Sequence, residues 1–437
     1  MLPSFYSFPE STPSATFHEA ILASSSSARD SLPKEHHAHF ETLRQEIIDF
    51  AKAHDIPRES LAKPDALREA ASKLSTPDLE RLAILLERFE YLIVHKEPKK
   101  EDYTEVLEYT ETYYHLKEQY TFQVALLEQV GILKEGVILG IDGNEYPIPT
   151  LEQIASRLFE RRETLKTKHD QGFTKLLLVP FGMSLDALQE TLKQFLLSYK
   201  QNNPTFYLDT NKLLYTREEY QGADTGDSPK LVYYQRFFTK ESHGGKTKME
   251  ILEEQVEGRW TLPPMAGSAT GGTTSVGVAE GSETGTPGWT IHLFQPSDPT
   301  NPHSPGFALI PRQGQGTPQG DLTPRPPLEA GQSPNEYLSL LQVSKDNEDS
   351  PYSLESGMTP EDWIMAFMTH LTQTGQLMDD YSLFNKKGIS WLLGSFFPSS
   401  VQVPHVYWDI GVRYALLSSD VPGERYVDIG VRTSVII

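Results

Sequence analysis

YWDIGVRYALLSSDVPGERYVDIGVRTSVII, Tyr407 to Ile437, closes the chain and writes the pentapeptide DIGVR twice, at Asp409–Arg413 and at Asp428–Arg432. Ile and Val suit a half-buried pleated surface, Gly permits close backbone approach, and Arg can bridge neighbouring acids. Between the copies, Val421-Pro422-Gly423-Glu424 has the composition of a turn. The expectation is two strands: Val406–Leu417 and then DIGVRTSVII. The second copy reads as a closing strand that pairs with an earlier strand at Trp289–Phe294.

Working back from that tail, the segment 289–437 reads as one region. Trp289–Phe294 is a strand, and a stretch dense in Pro and Gly runs from Gln295 to Gly331. Ser333-Pro-Asn-Glu starts a helix. Thr359-Pro-Glu-Asp starts a better one, with Thr359 as cap, Pro360 in the first turn, and Trp363, Phe367 and Leu371 along one face. SWLLGSFF (Ser390–Phe397) reads as a further strand.

Upstream, residues 261–288 are small and polar and read as a flexible linker. Residues 131–260 read as α+β. There, Asp142-Gly143 marks a hairpin and Thr150–Gln153 a capping box opening a helix to about Lys168. KLLLVPFG (Lys175–Gly182) is a buried strand, Ser184–Tyr199 a helix and Lys230–Phe238 a strand. Residues 36–130 carry helical periodicity, with helix starts at Ser75–Glu80 and near Glu101, the latter helix running to Val130. Residues 1–35, rich in Ser, Pro and Thr, read as a flexible tail. The fold class expected for the whole is α+β.

The chain of 437 residues carries 60 acidic and 39 basic side chains, a formal net charge of −21. That charge repels phosphate backbones and argues against general nucleic-acid binding. There are no cysteines, which excludes disulfides, thiolate metal sites and cysteine nucleophiles. The first residues lack the basic start and apolar run of a signal peptide, and no apolar run approaches the ~20 residues of a membrane helix. The expectation is a soluble cytoplasmic protein with no membrane partner.

Few motifs carry chemistry. Gly244-Gly245-Lys246-Thr247 lacks the earlier glycine of a phosphate loop, Lys240 standing in its place. His36, His37 and His39 form a tract without a distant ligand to complete a metal site. The acidic pairs Asp379/Asp380 and Glu361/Asp362 fit helix starts and loops as well as acid–base work. No metal and no cofactor is expected.

The closing residues resemble the end of the C-type-lectin-like domains in target proteins of diversity-generating retroelements, a bacterial and phage system, and of the related formylglycine-generating, sulfatase-modifying fold. The counterparts are Trp408, the stretch Asp409–Asp420, and the terminal Ile429-Gly430-Val431-Arg432, where Val431 replaces the usual aromatic. In that family an error-prone reverse transcriptase replaces adenines, often in AAC or AAT codons, and such codons cannot become Lys, Glu, Gln, Met or Trp. From Val403 to Gly423 the only residue of those types is Trp408.

The resemblance implies a non-enzymatic protein displaying a variable face to a protein ligand. His405, Tyr407, Asp409, Ile410, Tyr414, Leu416, Ser418 and Ser419 are its candidate contacts, and Trp408, Arg413, Gly430 and Arg432 its frame. Tyr supplies contact area with few rotatable bonds, and Ser and Asp supply adaptable hydrogen bonds. Strand alternation allows only about half of such a list to face one way. The copper chemistry of the sulfatase-modifying enzymes needs cysteines and does not transfer; no calcium pattern is present either. The alternatives are a hydrolase or transferase that joins His292 or His405 to acids such as Asp379, and a scaffold protein without ligand. Sequence does not specify the oligomeric state.

Overall fold

The computed structural model describes residues 29, 31–33, 36–54, 56–57, 74, 76–99, 103–226, 228–241, 244–260, 286–314, 325–326, 328–345, 347, 349–381 and 388–437. Most of the expected tail 1–35 and residues 261–285 of the expected linker 261–288 lie outside these residues. The chain is α+β and its described residues divide into two compact units, one through Leu107 and one from Glu108 to Ile437.

In the first unit, α1 (His37–Ala53) and α2 (Thr76–His95) pack along facing apolar stripes. Phe40, Leu43, Ile47 and Phe50 meet Leu82, Leu85, Leu86 and Phe89, at the spacing of one helix face. The Phe40 and Phe89 rings lie 5.0 Å apart. Leu32, expected in the flexible tail, is buried in this same core.

The second unit runs across the boundaries expected at 130 and 260. The helix expected over 101–130 breaks at His115, which takes a left-handed φ of 49°, giving α3 (Thr104–Tyr114) and α4 (Leu116–Gln129). Strands β1 (Val137–Leu139) and β2 (Glu145–Pro147) form the hairpin that Asp142-Gly143 announced, with Gly143 at φ 81°. Thr150 makes its capping box with Gln153 and opens α5 (Leu151–Glu160). That helix stops at Arg161 and α6 (Arg162–Asp170) follows, so the single helix expected to Lys168 is two.

The first sheet is antiparallel throughout. It comprises β3 (Lys175–Val179), β6 (Thr290–Phe294), β14 (Thr433–Ile436) and β7 (Glu355–Gly357), in that order. Helix α7 (Leu185–Asn202) follows β3, capped by Ser184. The second sheet is mixed, in the order β13 (Ile429–Val431), β9 (Ile389–Trp391), β11 (Val403–Asp409), β12 (Tyr414–Asp420) and β4 (Leu214–Thr216), with β8 (Asp380–Tyr381) also pairing β11. A third pair joins β5 (Val232–Tyr233) to β10 (Ser395–Phe396). Each of these sheets takes strands from both sides of residues 261–288, which is why 131–260 and 289–437 form one unit.

Several strands are shorter than expected. Lys230–Phe238 pairs only over Val232–Tyr233. Ser390–Phe397 is two strands separated by Leu392–Gly394. Val406–Leu417 is also two, because residues 410–413 form a tight turn. The Asp409 carboxylate accepts from the Gly411 and Val412 amides at 2.7 and 3.2 Å, and Arg413 takes a left-handed φ of 65°. An Asx-type side chain thus replaces strand pairing where the first DIGVR stood.

Helix α10 (Pro360–Thr374) is the centre of the unit. Thr359 caps it with Asp362 in a capping box, and every residue from Pro360 to Leu371 is buried. It packs on α7, on β3 of the first sheet and on β11 of the second. Its buried first-turn acids are engaged differently, Asp362 accepting from the Thr359 amide at 2.8 Å. Glu361 lies 2.9 Å from Lys248 Nζ and accepts from the Tyr233 hydroxyl at 2.7 Å. Lys248, at the start of α8 (Lys248–Val256), also meets Asp224 and donates to the Met183 carbonyl at 2.7 Å. Burial alone would lower the Lys248 pKa, but the two carboxylates outweigh it and hold it above the ordinary value.

The last strands join the two sheets. The expected pairing of the closing strand with 289–294 is made by Thr433–Ile436, directly after the second DIGVR: Val435 faces Leu293 and Ile436 faces His292. Ile429–Val431 instead pairs in parallel with β9, in the second sheet. Gly430 sits where a Cβ would clash with Ile310 Cγ2 and lie 3.2 Å from Ala330 Cα, so a side chain enters only if its neighbours shift. Ile310 is itself buried. Gly430→Ala should therefore destabilise the protein by about 1–3 kcal/mol, whereas Gly423→Ala, with open space around it, should not; chemical denaturation midpoints compare the two.

Candidate binding face

Strands β11 and β12 form a seven-pair antiparallel ladder from Val403↔Asp420 to Asp409↔Tyr414. Because residues paired across a sheet share a face, the ladder sorts the candidates. His405↔Ser418, Tyr407↔Leu416 and Asp409↔Tyr414 lie on one face; Pro404↔Ser419, Val406↔Leu417 and Trp408↔Ala415 lie on the other. Six of the eight expected contacts therefore share a face.

The other two are placed differently. Ser419 is buried on the opposite face, where its hydroxyl meets Glu219 and Gln402. Ile410 is exposed in the turn beyond the ladder.

The shared face is closed at one end and open at the other. At the Val403 end it is covered by an apolar cluster that includes Tyr337, Leu338 and Leu341 of α9 (Pro334–Lys345) with Trp391, Phe396 and Val431. His405 falls under this cover: its ring meets Trp391 edge-on at 5.2 Å and is buried. Toward the turn, Tyr407, Asp409, Tyr414, Leu416 and Ser418 are partly exposed. Tyr381 of β8 meets Tyr407 edge-on at 5.4 Å. Burial first, then Asp409, Tyr381 and Tyr414, holds the Tyr407 hydroxyl above the ordinary tyrosine value, so it stays a neutral hydrogen-bonding group.

Two face residues were not foreseen. Tyr215 joins because β4 pairs in parallel with β12, opposite Leu416, and Tyr381 because β8 pairs with β11. Alternation in Leu214-Tyr215-Thr216 is a strand signal, but nothing local says which strand it will join.

The expected frame residues behave unequally. Trp408 is buried on the inner face, stacked on Phe367 of α10 at 5.8 Å with the rings 14° from parallel. Arg432 is buried and donates through Nη1 and Nη2 to the two Asp379 oxygens at 2.9 and 2.8 Å, and through Nε to the Ala308 carbonyl at 3.1 Å. Trp363 Nε1 donates to the same carboxylate at 2.9 Å, and the Asp379 carbonyl accepts from the Trp408 amide at 2.9 Å. Arg413, by contrast, is exposed, with its guanidinium 5.1 Å from the Tyr207 ring. Its position in a turn removes it from the frame.

Two of the acids weighed for catalysis, Asp379 and Glu361, are engaged in buried ion pairs. Asp379 is held by Arg432 and Trp363 rather than by a histidine. His292 Nδ1 lies 2.9 Å from Ser434 Oγ, and its Nε2 lies 3.2 Å from Asp362 Oδ1 without hydrogen-bond alignment. This Ser–His–Asp set is buried in the first sheet and the start of α10. A concavity beside Ile310, Arg325 and Arg432 offers about 20 Å³, room for one water.

Two buried histidines make stability depend on pH. Burial lowers His370 to about 4, with Arg432 adding to the effect and Asp379 opposing it, and its Nδ1 accepts from the Phe307 amide at 3.0 Å. Burial likewise lowers His405 to about 4. The unfolded chain takes up these protons near pH 6.5, its ordinary value, and the folded chain only near 4. Between those values the unfolded state binds more protons, so stability should fall as pH falls. Unfolding midpoints measured across this window should show the slope, and His370→Gln should flatten part of it; equal slopes in both proteins would refute the assignment. Compared with protein-family models, curated proteins and solved structures, the chain has no significant match.

Proposed function

We propose that the second unit is a non-enzymatic binding protein on a C-type-lectin-like scaffold, presenting the open part of the β11–β12 face to a protein ligand, and that this face is diversified by a retroelement. The observation that carries the reading is the ladder itself. It turns the stretch 403–423, free of Lys, Glu, Gln and Met, into one outward face of Tyr407, Asp409, Tyr414, Leu416 and Ser418. The inner face of the same strands is locked by Trp408, Val406, Ala415 and Leu417. The return of Thr433–Ile436 beside Thr290–Phe294 supports the lectin-like comparison.

A hydrolase or transferase is the weaker reading, because His292 and Asp362 meet in the buried core and Asp379 is committed to Arg432.

On this proposal the outer positions tolerate change and the inner ones do not. Tyr414→Ser, Leu416→Thr and Ser418→Thr should each cost less than about 1 kcal/mol, while Trp408→Ala should cost about 3–5 kcal/mol. Guanidinium denaturation measures both, and outer substitutions as costly as Trp408→Ala would make the face structural. The gene supplies the second test. The flanking DNA should hold a near-copy of the codons for 403–437, differing almost only at adenines and lying beside a reverse-transcriptase gene. Without such a copy, diversification is rejected.

A further inference from the structure

The face continues beyond the ladder into a corner built largely from a distant part of the chain. Lys212 Nζ lies 4.6 Å from the centre of the Tyr215 ring and 5.0 Å from that of Tyr414. Arg413 lies over Tyr207, which is 72% exposed. The backbone clamps the two pieces together: the Asp209 amide donates to the Arg413 carbonyl at 3.0 Å.

Neither Lys212 nor Arg413 has a carboxylate within ion-pair distance among the described residues. The adjoining acids are used in turns. Asp209 Oδ1 accepts from the Asn211 amide at 2.9 Å, and Asp409 Oδ1 from Gly411 and Val412. In a chain of net charge −21, two solvent-facing cations held on tyrosine rings, with no carboxylate at ion-pair distance among the described residues, are an anion-recognising arrangement.

We propose that Tyr207, Lys212, Tyr215, Arg413 and Tyr414 form a subsite for an acidic segment of a protein partner, its carboxylates meeting Lys212 and Arg413 and its side-chain stems lying on the tyrosines. The proposal rests on the binding reading above and adds to it a constant part. Tyr207, Lys212 and Tyr215 lie outside 403–423, so they stay the same while the face varies. Pairing an edge strand, β4, beside the ladder is what brings them there. The occupant is a protein segment rather than a nucleic acid, because the excess of acid over the whole chain repels a polyphosphate more than a short run of carboxylates.

The test uses the full chain and a fluorescein-labelled oligoglutamate peptide in low-salt buffer, read by fluorescence anisotropy. Saturable binding that weakens as salt is added is expected. Lys212→Glu with Arg413→Glu should weaken it by about tenfold or more, and Lys117→Glu, on the exposed side of α4, should not. Circular dichroism confirms that the variants fold; should the double variant not fold, Lys212→Glu alone, whose residue lies in no strand, carries the test. No saturable binding, equal loss with Lys117→Glu, or tighter binding of oligothymidylate overturns the proposal. Intolerance at Tyr414 and Leu416 with peptide binding intact would reject the diversified face and leave the corner standing. Tolerance there without peptide binding would reject the corner alone.

Discussion

The Arg432–Asp379 ion pair is the joint on which the second unit depends. Arg432 stands between β13 and β14, where the chain leaves the second sheet and enters the first. Asp379 stands just before β8 in a left-handed conformation, φ 56°. Its carboxylate also takes the indole N–H of Trp363 from α10, and its carbonyl takes the amide of Trp408 from β11. One buried pair thus touches both sheets, the central helix and the strand that carries the candidate face. Removing either partner would strand a charge in the core, which costs about 3–5 kcal/mol in buried pairs generally.

The two copies of DIGVR show how far environment decides the use of a sequence. In the first, the aspartate closes a turn, the glycine is exposed and the arginine lies on a surface tyrosine. In the second, Ile429–Val431 is a buried strand, the glycine is forced by Ile310 and Ala330, and the arginine is the joint. Five identical residues cannot differ in intrinsic propensity. The difference comes from the partners: β12 folds back on the first copy, and β9 runs beside the second.

Buried charge is unusually frequent around α10 and the first sheet. Lys248 with Asp224 and Glu361, and Glu355 with Lys168 and Arg325, are fully enclosed. Burying ions is expensive unless each is matched, and each such group can be satisfied by only one arrangement of strands. The Glu355 network reaches Thr433 of β14, so it ties the β7–β14 edge of the first sheet to Lys168 of α6 and to Arg325.

Much of the local structure was legible in the sequence. Thr150 closes the capping box that its spacing with Gln153 announced, Thr359 caps its helix as Pro360 beside it suggested, and the helix expected from Ser184 is capped by that residue. Asp142-Gly143 turns a hairpin, and the strand at 175–179 is buried on both faces. These features rest on contacts within a few residues, so composition and spacing determine them. What only the tertiary structure decided is everything that depends on pairing across long separations. It placed Ser419 inside and Leu416 outside, roofed His405, turned the chain at 410–413, and brought Tyr215 and Tyr381 beside Tyr407 and Tyr414. It also gave Arg432 its carboxylate and left Arg413 without one among the described residues. The physical reason is the period of two in a β-strand: a shift of one residue reverses every side chain, and the register is set by strands that lie far away in the chain.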